Sequence, residues 1–275
     1  MEKKNQLAAH RFERVTRLRW MMDSIVNKRV VVVGGSRGLG LGMVEALVAR
    51  GAKVSVVARN AAALRAAAER LDINSVVGDA TDAALATSVL TRLRPELLIL
   101  NAGVTPTISG MRELSWDSFS CAWNVDVQVG FYWLQAALRL PLAPGARVLL
   151  ISSGAAVRGA PFSGGYAGAK RMLWLMAEYA NAEAKQLGLN VHFQTLLPLD
   201  LVRDTGVGQS GAKFHAHQQG VSVDTFWAAY RSSLSARQVG DYVATLVSDP
   251  QYASGVVFGV NGANGITPLD TKDSA

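Results

Sequence analysis

Residues 30–40 read Val30-Val-Val-Val-Gly-Gly-Ser-Arg-Gly-Leu-Gly40, and this stretch decides the fold. The four valines are apolar and β-branched, which is typical of a parallel strand that is buried on both faces. Residues 39–50 then have the composition of a helix, which Gly51 ends. A strand that passes through a glycine turn into a helix is a common dinucleotide-binding unit, because the helix N-terminus offers free N–H groups to a pyrophosphate. The spacing here is G-x-x-x-G-x-G, which on its own is a weak signal.

The rest of the chain alternates strands and helices without a linker. Further strands are predicted at residues 53–57, 75–77, 96–100, 147–152, 191–197 and 255–260, and further helices at 61–71, 82–93, 116–140, 166–187 and 236–248. This alternation predicts an α/β fold with a single doubly wound parallel sheet of the Rossmann type and helices on both faces. Such sheets bind ligands beyond the carboxyl ends of their strands, so we expect the functional site there.

The predicted catalytic domain covers residues 29–265, between an N-terminal extension at 1–28 and a C-terminal tail at 266–275. Apolar residues at helical spacing predict a helix in the extension. The extension is either a helix that packs on a surface or partner, or an upstream segment of little consequence. The alternatives are a helix that lies on an anionic membrane surface and an organelle presequence, although three acidic residues and few serines count against a presequence. Residues 199–235 have weak periodicity and many Gly, Ser and Gln residues, so they predict a loop-rich lid.

The positive charge of the chain is concentrated in the extension. The net charge is +7, and residues 1–29 hold eight basic against three acidic side chains, so the remaining body is close to neutral. We therefore expect no nucleic-acid partner. No apolar run reaches the roughly 20 residues of a membrane span. The single cysteine cannot form an intrachain disulfide, which fits a reducing compartment, and we expect a cytoplasmic location. The histidines and the cysteine show no metal-ligand spacing, so no metal is expected.

The end of the second predicted strand favours NADP(H) over NAD. Many NAD-binding proteins place a carboxylate there to bind the ribose 2′-hydroxyl, but this chain has Ala58 followed by Arg59. Arg37 in the glycine turn is a second guanidinium that could reach a 2′-phosphate. The alternative for each arginine alone is an ordinary surface charge.

The stretch from Ser153 to Lys170 carries the candidate chemistry. Tyr166 and Lys170 are four residues apart, which places both on one face of a helix. An ammonium close to a phenol favours the phenolate and lowers the pKa of a tyrosine from about 10, so such a phenol can exchange a proton with a carbonyl or alcohol oxygen. Ser153 follows a predicted buried strand, where its hydroxyl can bond the same oxygen.

Together these motifs resemble the short-chain dehydrogenase/reductase family over residues 28–265. The glycine turn at 34–40, with Val33 where threonine is usual, and the Asn101-Ala102-Gly103 segment both match the family. Asn124, Ser153, Tyr166 and Lys170 match its catalytic tetrad. The resemblance implies that the cofactor contacts Gly34, Ser36, Arg37, Gly38, Leu39, Gly40, Arg59, Asp79, Ala80, Asn101, Ala102, Gly103, Tyr166, Lys170 and Pro198.

The resemblance also implies a reaction, namely hydride transfer between a nicotinamide and a carbonyl or alcohol substrate. Tyr166 would be the general acid in ketone reduction, Ser153 would polarise the carbonyl, and Lys170 would tune the tyrosine and bind the nicotinamide ribose. Asn124 would hold a water that relays protons. A homodimer or homotetramer through the helices at 116–140 and 166–187 is also implied. The alternative is a non-catalytic NADPH-binding scaffold on the same fold.

The substrate-facing part of the sequence departs from the family pattern. Pro198 is followed by Leu199 where glycine is usual, and Thr205 lies further on than the usual hydroxyl residue. Aromatic residues in and near the lid either favour a hydrophobic substrate or pack the lid onto the body. These residues are Phe162, Phe214, Phe226, Trp227 and Tyr230.

Overall fold

The structure is a computed structural model that describes residues 25–140, 142–230 and 232–269. The predicted N-terminal helix and the last residues of the predicted tail lie outside this part of the chain. Ile25, the first described residue, is buried in the hydrophobic core. Lys28 follows it and pairs with Glu96 at 2.8 Å, which ties this end to the start of the fourth strand.

In the described part of the chain, eight strands form one sheet in the order β3-β2-β1-β4-β5-β6-β7-β8. The strands are β1 Arg29–Val33, β2 Lys53–Ala58, β3 Asn74–Val77, β4 Leu97–Leu100, β5 Ala146–Ile151, β6 Val191–Pro198, β7 Val257–Asn261 and β8 Gly265–Pro268. The first seven are parallel, and the order reverses between β1 and β4, so the predicted doubly wound sheet is confirmed. Of these eight strands, β8 alone is antiparallel, and it pairs with β7. Because β8 covers Gly265–Pro268, the sheet extends into the predicted C-terminal tail.

Helices cover both faces of the sheet, as predicted. They are α1 Gly38–Val48, α2 Ala61–Leu71, α3 Ala83–Leu93, α4 Trp116–Ala122, α5 Gln128–Arg139, α6 Ala155–Arg158, α7 Tyr166–Gln186, α8 Gly206–Gln218, α9 Val223–Ala229 and α10 Ala236–Ser248. Helices α3, α5 and α7 bury one face of the sheet, and α1, α2 and α10 bury the other. None of the helices in the described part of the chain is both long and apolar enough to cross a lipid bilayer.

The helix predicted over residues 116–140 is interrupted in its middle. A π-helical segment, Trp123–Val127, separates α4 from α5. A π turn holds one residue more than an α turn, and such segments are frequent at functional sites. The extra residue changes which side chains face the interior, and Asp126 and Val127 are the buried residues of this segment.

The predicted loop-rich lid is largely helical, which corrects the sequence analysis. Helices α8 and α9 occupy residues 206–218 and 223–229. Thr205 caps α8, and Ser222 caps α9. Periodicity was weak here because α9 is short and α8 packs through small residues such as Ala212. Phe226 and Trp227 are buried between these helices.

The carboxyl ends of β1, β4, β5 and β6 lie side by side at one edge of the sheet. Gly34, Asn101 and Ser152 follow β1, β4 and β5 directly, and Pro198 is the last residue of β6. Parallel pairing therefore brings segments that are far apart in sequence to the edge at which the site was expected.

Candidate active site

A cavity of about 710 Å³ opens at this edge of the sheet. It runs from the end of β2, past the glycine turn and the Asn101–Gly103 segment, to Ser153 and the start of α7. All the residues predicted to contact cofactor or substrate line it, except Gly40 and Asn124. Gly40 is buried beneath the turn, where a side chain would collide with the carbonyl oxygen of Gly34.

The glycine turn has the features that a pyrophosphate requires. Gly38 begins α1 with φ +52°, a left-handed conformation that disfavours other residues. The first turn of α1 contains no acidic residue, so the N–H groups and the positive end of the helix dipole face the cavity without a competing carboxylate. The Asn101 side-chain amide donates to the Gly34 carbonyl at 2.9 Å, which fixes the turn against the end of β4. The residues present therefore fit a dinucleotide.

Two guanidinium groups lie at the far end of the cavity. Arg37 and Arg59 both line it and are exposed, and β2 ends there in Ala58 rather than in an acid. Arg59 lies 3.8 Å from the Asp79 carboxylate, a loose ion pair in solvent. Hydrogen bonds from the backbone and hydroxyl of Thr81, followed by the charge of Arg59, hold the pKa of Asp79 below its usual range. Asp79 is therefore an ionised acceptor at this end.

Tyr166, Lys170 and Ser153 meet at the other end. Tyr166 is the first residue of α7 and is 6% exposed, and the Gly165 N–H just before it donates to the Phe119 carbonyl at 2.9 Å. Lys170 lies one turn later, with its Nζ 5.6 Å from the centre of the Tyr166 ring. Ser153 follows β5 and is half-buried against the cavity. The geometry thus brings together three of the four predicted catalytic residues.

The fourth, Asn124, is elsewhere, and the sequence expectation for it needs correction. Asn124 is exposed, its amide donates to the Ser120 hydroxyl at 3.2 Å, and it does not line the cavity. It lies in the π-helical segment, where the extra residue turns Asp126 inward instead. Asp126 lines the cavity with a side chain that is fully buried.

Asp126 contacts both the backbone of the site and its lysine. Its Oδ1 accepts from the Val104 N–H at 2.9 Å, and its Oδ2 lies 3.0 Å from Lys170 Nζ. Burial by itself would lower the pKa of Lys170, but the negative charge of Asp126, with smaller contributions from Tyr166 and from the hydrogen bond to Asp126, raises it. The ammonium is therefore charged at neutral pH.

Sequence reasoning missed Asp126, although a signal was present. Asp126 interrupts an apolar run, with valines at 125, 127 and 129. A carboxylate among apolar residues of a helix is rarely buried unless it is paired, so this pattern indicates a basic partner nearby. The resemblance directed attention to the nearest asparagine instead.

The lid covers the glycine turn but contributes none of its aromatic rings to the cavity. The Asp204 carbonyl lies about 3.7 Å from the point where a side chain of Gly38 would begin. Thr205 lines the cavity, but its hydroxyl is used to cap α8 and to donate to the Val202 carbonyl at 2.8 Å. None of the five aromatic residues named in the sequence analysis lines the cavity, and Phe162 packs on Phe214 with ring centres 4.6 Å apart. These rings pack the lid.

The fold and this cavity define the class of the protein as a Rossmann-type α/β protein with a cavity that fits a dinucleotide. A family model described as short chain dehydrogenase matches residues 28–199, well over half of the chain. The chain belongs to the short-chain dehydrogenase/reductase family of oxidoreductases, which confirms the resemblance read from its motifs.

Several known proteins are similar to this chain. The short chain dehydrogenase/reductase AacuD of Aspergillus aculeatus is 29% identical over 173 residues, which are 60% of this chain and only 61% of that protein. The 3-oxoacyl-[acyl-carrier-protein] reductase FabG of Chlamydia muridarum is 26% identical over 195 residues, 65% of this chain and 75% of that protein.

Two solved structures are similar to this chain over a larger share of its length. A short chain dehydrogenase from Burkholderia cenocepacia J2315, in complex with NADP, has a TM-score of 0.70 at 25% identity and covers 87% of this chain and 98% of its own. The L-sorbose reductase of Gluconobacter frateurii, complexed with NADPH and L-sorbose, has the same TM-score at 19% identity, with 87% and 97% covered. The second likeness, at this identity, shows the fold alone.

We predict that Asn124→Ala stays within about threefold of the wild type in kcat/KM, because Asn124 does not line the cavity and its amide donates to the Ser120 hydroxyl. Steady-state kinetics with any substrate that is turned over would measure this. A loss of about 100-fold, the scale of a lost proton-transfer group, would contradict the placement of Asn124 outside the site.

Proposed function

We propose that this protein is an NADPH-dependent carbonyl reductase that converts a small-molecule ketone to an alcohol. The observation that carries the proposal is the meeting of Ser153, Tyr166 and the Lys170 ammonium at one end of a cavity whose other end is a dinucleotide cradle. When bound there, NADPH supplies the hydride. The ketone gains that hydride at its carbonyl carbon and one proton at its oxygen, which gives the alcohol.

The protein side chains would hold the carbonyl and deliver the proton. In this proposal the Ser153 hydroxyl donates to the carbonyl oxygen and polarises it, while the Tyr166 hydroxyl, near the same oxygen, gives its proton as the charge develops. Lys170 favours this transfer, because a positive charge near a phenol stabilises the phenolate that remains. Its ammonium has three N–H donors and uses two on Asp126 and the Ile151 carbonyl, so one remains for a cofactor hydroxyl.

NADPH is proposed over NADH because of the charge at the far end of the cavity. Arg37 and Arg59 line that end, and no acid ends β2. Guanidinium groups bind a phosphate with two parallel hydrogen bonds, whereas an acid at this position would repel it. The NADP complex of the Burkholderia protein supports the same choice.

Replacing the proton donor tests the reaction. Tyr166→Phe should lower kcat for ketone reduction by at least about 100-fold, the usual contribution of a general acid. NADPH binding, followed by cofactor fluorescence, should stay within about threefold. The disappearance of NADPH absorbance with a panel of ketones, diketones and quinones is the measurement.

A matched control for this variant is Tyr179→Phe, an exposed tyrosine on the same helix, which should behave like the wild type. Equal turnover by the Tyr166 variant would refute the acid assignment. If the wild type turns over no member of the panel, and oxidises no alcohol with NADP⁺, the non-catalytic scaffold becomes the better description.

Replacing Arg59 tests the cofactor preference. Arg59→Ala should raise KM for NADPH by roughly tenfold, because one charge-assisted phosphate contact contributes about 1.5–3 kcal/mol when fully formed and an exposed one contributes less. KM for NADH should hardly change. Arg65→Ala removes an exposed arginine from α2, outside the cavity, and serves as the control. An equal loss for both cofactors would mean that Arg59 does not contact a 2′-phosphate.

We also propose that the protein is a homo-oligomer. Trp123, Phe131 and Tyr179 are 49%, 50% and 59% exposed on the helical stretches expected to form the interface, and large exposed aromatic side chains favour association. Light scattering after size exclusion should give the mass of a dimer or tetramer. Phe131→Glu combined with Tyr179→Glu should reduce it to a monomer, whereas Val221→Glu should not. A monomeric wild type would exclude the proposal.

A further inference from the structure

Asp126 is a buried ionisable group of the site that neither donates the proton nor holds the carbonyl in the proposed reaction. Asp126 is completely buried, and within the described residues its Oδ2 has no partner other than the Lys170 ammonium at 3.0 Å. The carboxylate fits because Gly103 has no side chain: a β-carbon there would lie 2.7–2.8 Å from the two carboxylate oxygens. The Val104 N–H holds its other oxygen.

We infer that Asp126 is a positioning residue, the counter-ion that fixes the Lys170 ammonium and sets the pH range in which Tyr166 can donate a proton. The inference rests on the proposed reductase function for its catalytic meaning. Its physical content is independent of any substrate, because it concerns three side chains of the protein itself.

The net charge of the Asp126–Lys170 pair determines how easily the Tyr166 phenol ionises. Beside a neutral partner, Lys170 would present a full positive charge to the phenol, and a positive charge nearby favours the phenolate. With Asp126 in contact, the two charges sum to zero and the phenol experiences only the residual field of a short dipole. The phenol therefore stays protonated to higher pH than beside an unpaired lysine, and ketone reduction needs it protonated.

The other ionisable groups do not take over this role. Those lining the cavity are Arg37, Arg59, Asp79, Asp200 and Asp204. On the helices packed against α7 they are Asp117, Cys121, Tyr132, Arg139 and Arg158, and on β5 and β6 they are Arg147 and His192. No hydrogen bond or ion pair joins any of these to Asp126 or Lys170 in the described part of the chain. Arg158, the basic residue of α6, instead donates to the Leu199 carbonyl.

The test is the ionisation of Tyr166, measured by ultraviolet difference spectroscopy without substrate. The chain has six tyrosines, so the signal of Tyr166 is the difference between each protein and the same protein with Tyr166→Phe. Asp126→Asn keeps the shape and an acceptor for the Val104 N–H but removes the charge. We expect its Tyr166 midpoint to lie about one pH unit below that of the wild type.

A surface carboxylate on the same helical stretch provides the control. Asp117→Asn removes an exposed charge from the first turn of α4 and should leave the midpoint unchanged. An unchanged midpoint in Asp126→Asn would overturn the inference. In a protein that reduces a ketone of the panel, the alkaline limb of the kcat/KM profile should move in the same direction by a similar amount.

A second comparison covers the case in which Asp126→Asn does not fold because it leaves Lys170 buried without a counter-ion. Lys170→Gln combined with Asp126→Asn removes both charges and leaves neither of them unpaired. Because the two charges of the pair already sum to zero, the Tyr166 midpoint of this double variant should stay close to that of the wild type. A midpoint about one pH unit higher than in the wild type, as expected if Lys170 acted on the phenol as an unpaired charge, would overturn the inference. Absence of ketone turnover by the wild type would contradict the proposed function but would leave these spectroscopic outcomes decisive.

Discussion

The parallel pairing of β1 with β4 is the constraint on which the site depends. Residues 30–33 pair in register with residues 97–100, so the two strands end at the same level. β5 and β6 continue beside β4 in the same direction. The glycine turn, the Asn101–Gly103 segment and Ser153 therefore converge on one edge, although long helices separate them in sequence. An antiparallel strand at any of these places would carry its terminal residues to the opposite edge.

Two hydrogen bonds hold helix α7 in place at the end of the sheet where these segments meet. The Ser152 hydroxyl at the end of β5 donates to the Lys170 carbonyl at 2.7 Å, so strand and helix are bonded next to Ser153. The start of α7 is held separately, through the bond from Gly165 to Phe119 in α4. Ser153 and Tyr166 belong to different elements, and these two attachments fix the position of one relative to the other.

Much of this arrangement could be predicted from sequence because local patterns determine it. A run of valines before glycines, or a tyrosine four residues before a lysine, has the same meaning wherever the sheet places it. The edge strand β8 could not be predicted in this way, because four residues pair there only when β7 is beside them. The lid helices were missed because they have little apolar periodicity, and their packing comes from one another.

The site contains Asp126 instead of the predicted Asn124, and this difference shows a second limit of prediction from sequence. Periodicity assumes a regular helix, and whether α4 and α5 are joined by a π turn depends on what the inward-facing residue meets. Asp126 meets an ammonium from α7 and an N–H after the Asn101–Gly103 segment, so its position is a tertiary property.

That tertiary contact also couples three segments of the site. A buried carboxylate or ammonium is costly unless it is paired, so neither Asp126 nor Lys170 is stable in its place without the other. Gly103 leaves the room that the carboxylate occupies, and a shift of the π-helical segment would withdraw the charge. The charge presented to Tyr166 is thus decided jointly by these segments rather than by Lys170 alone. For this chain, a tyrosine and a lysine four residues apart are not sufficient to define the charge around the phenol, because the buried Asp126 carboxylate contributes to it as well.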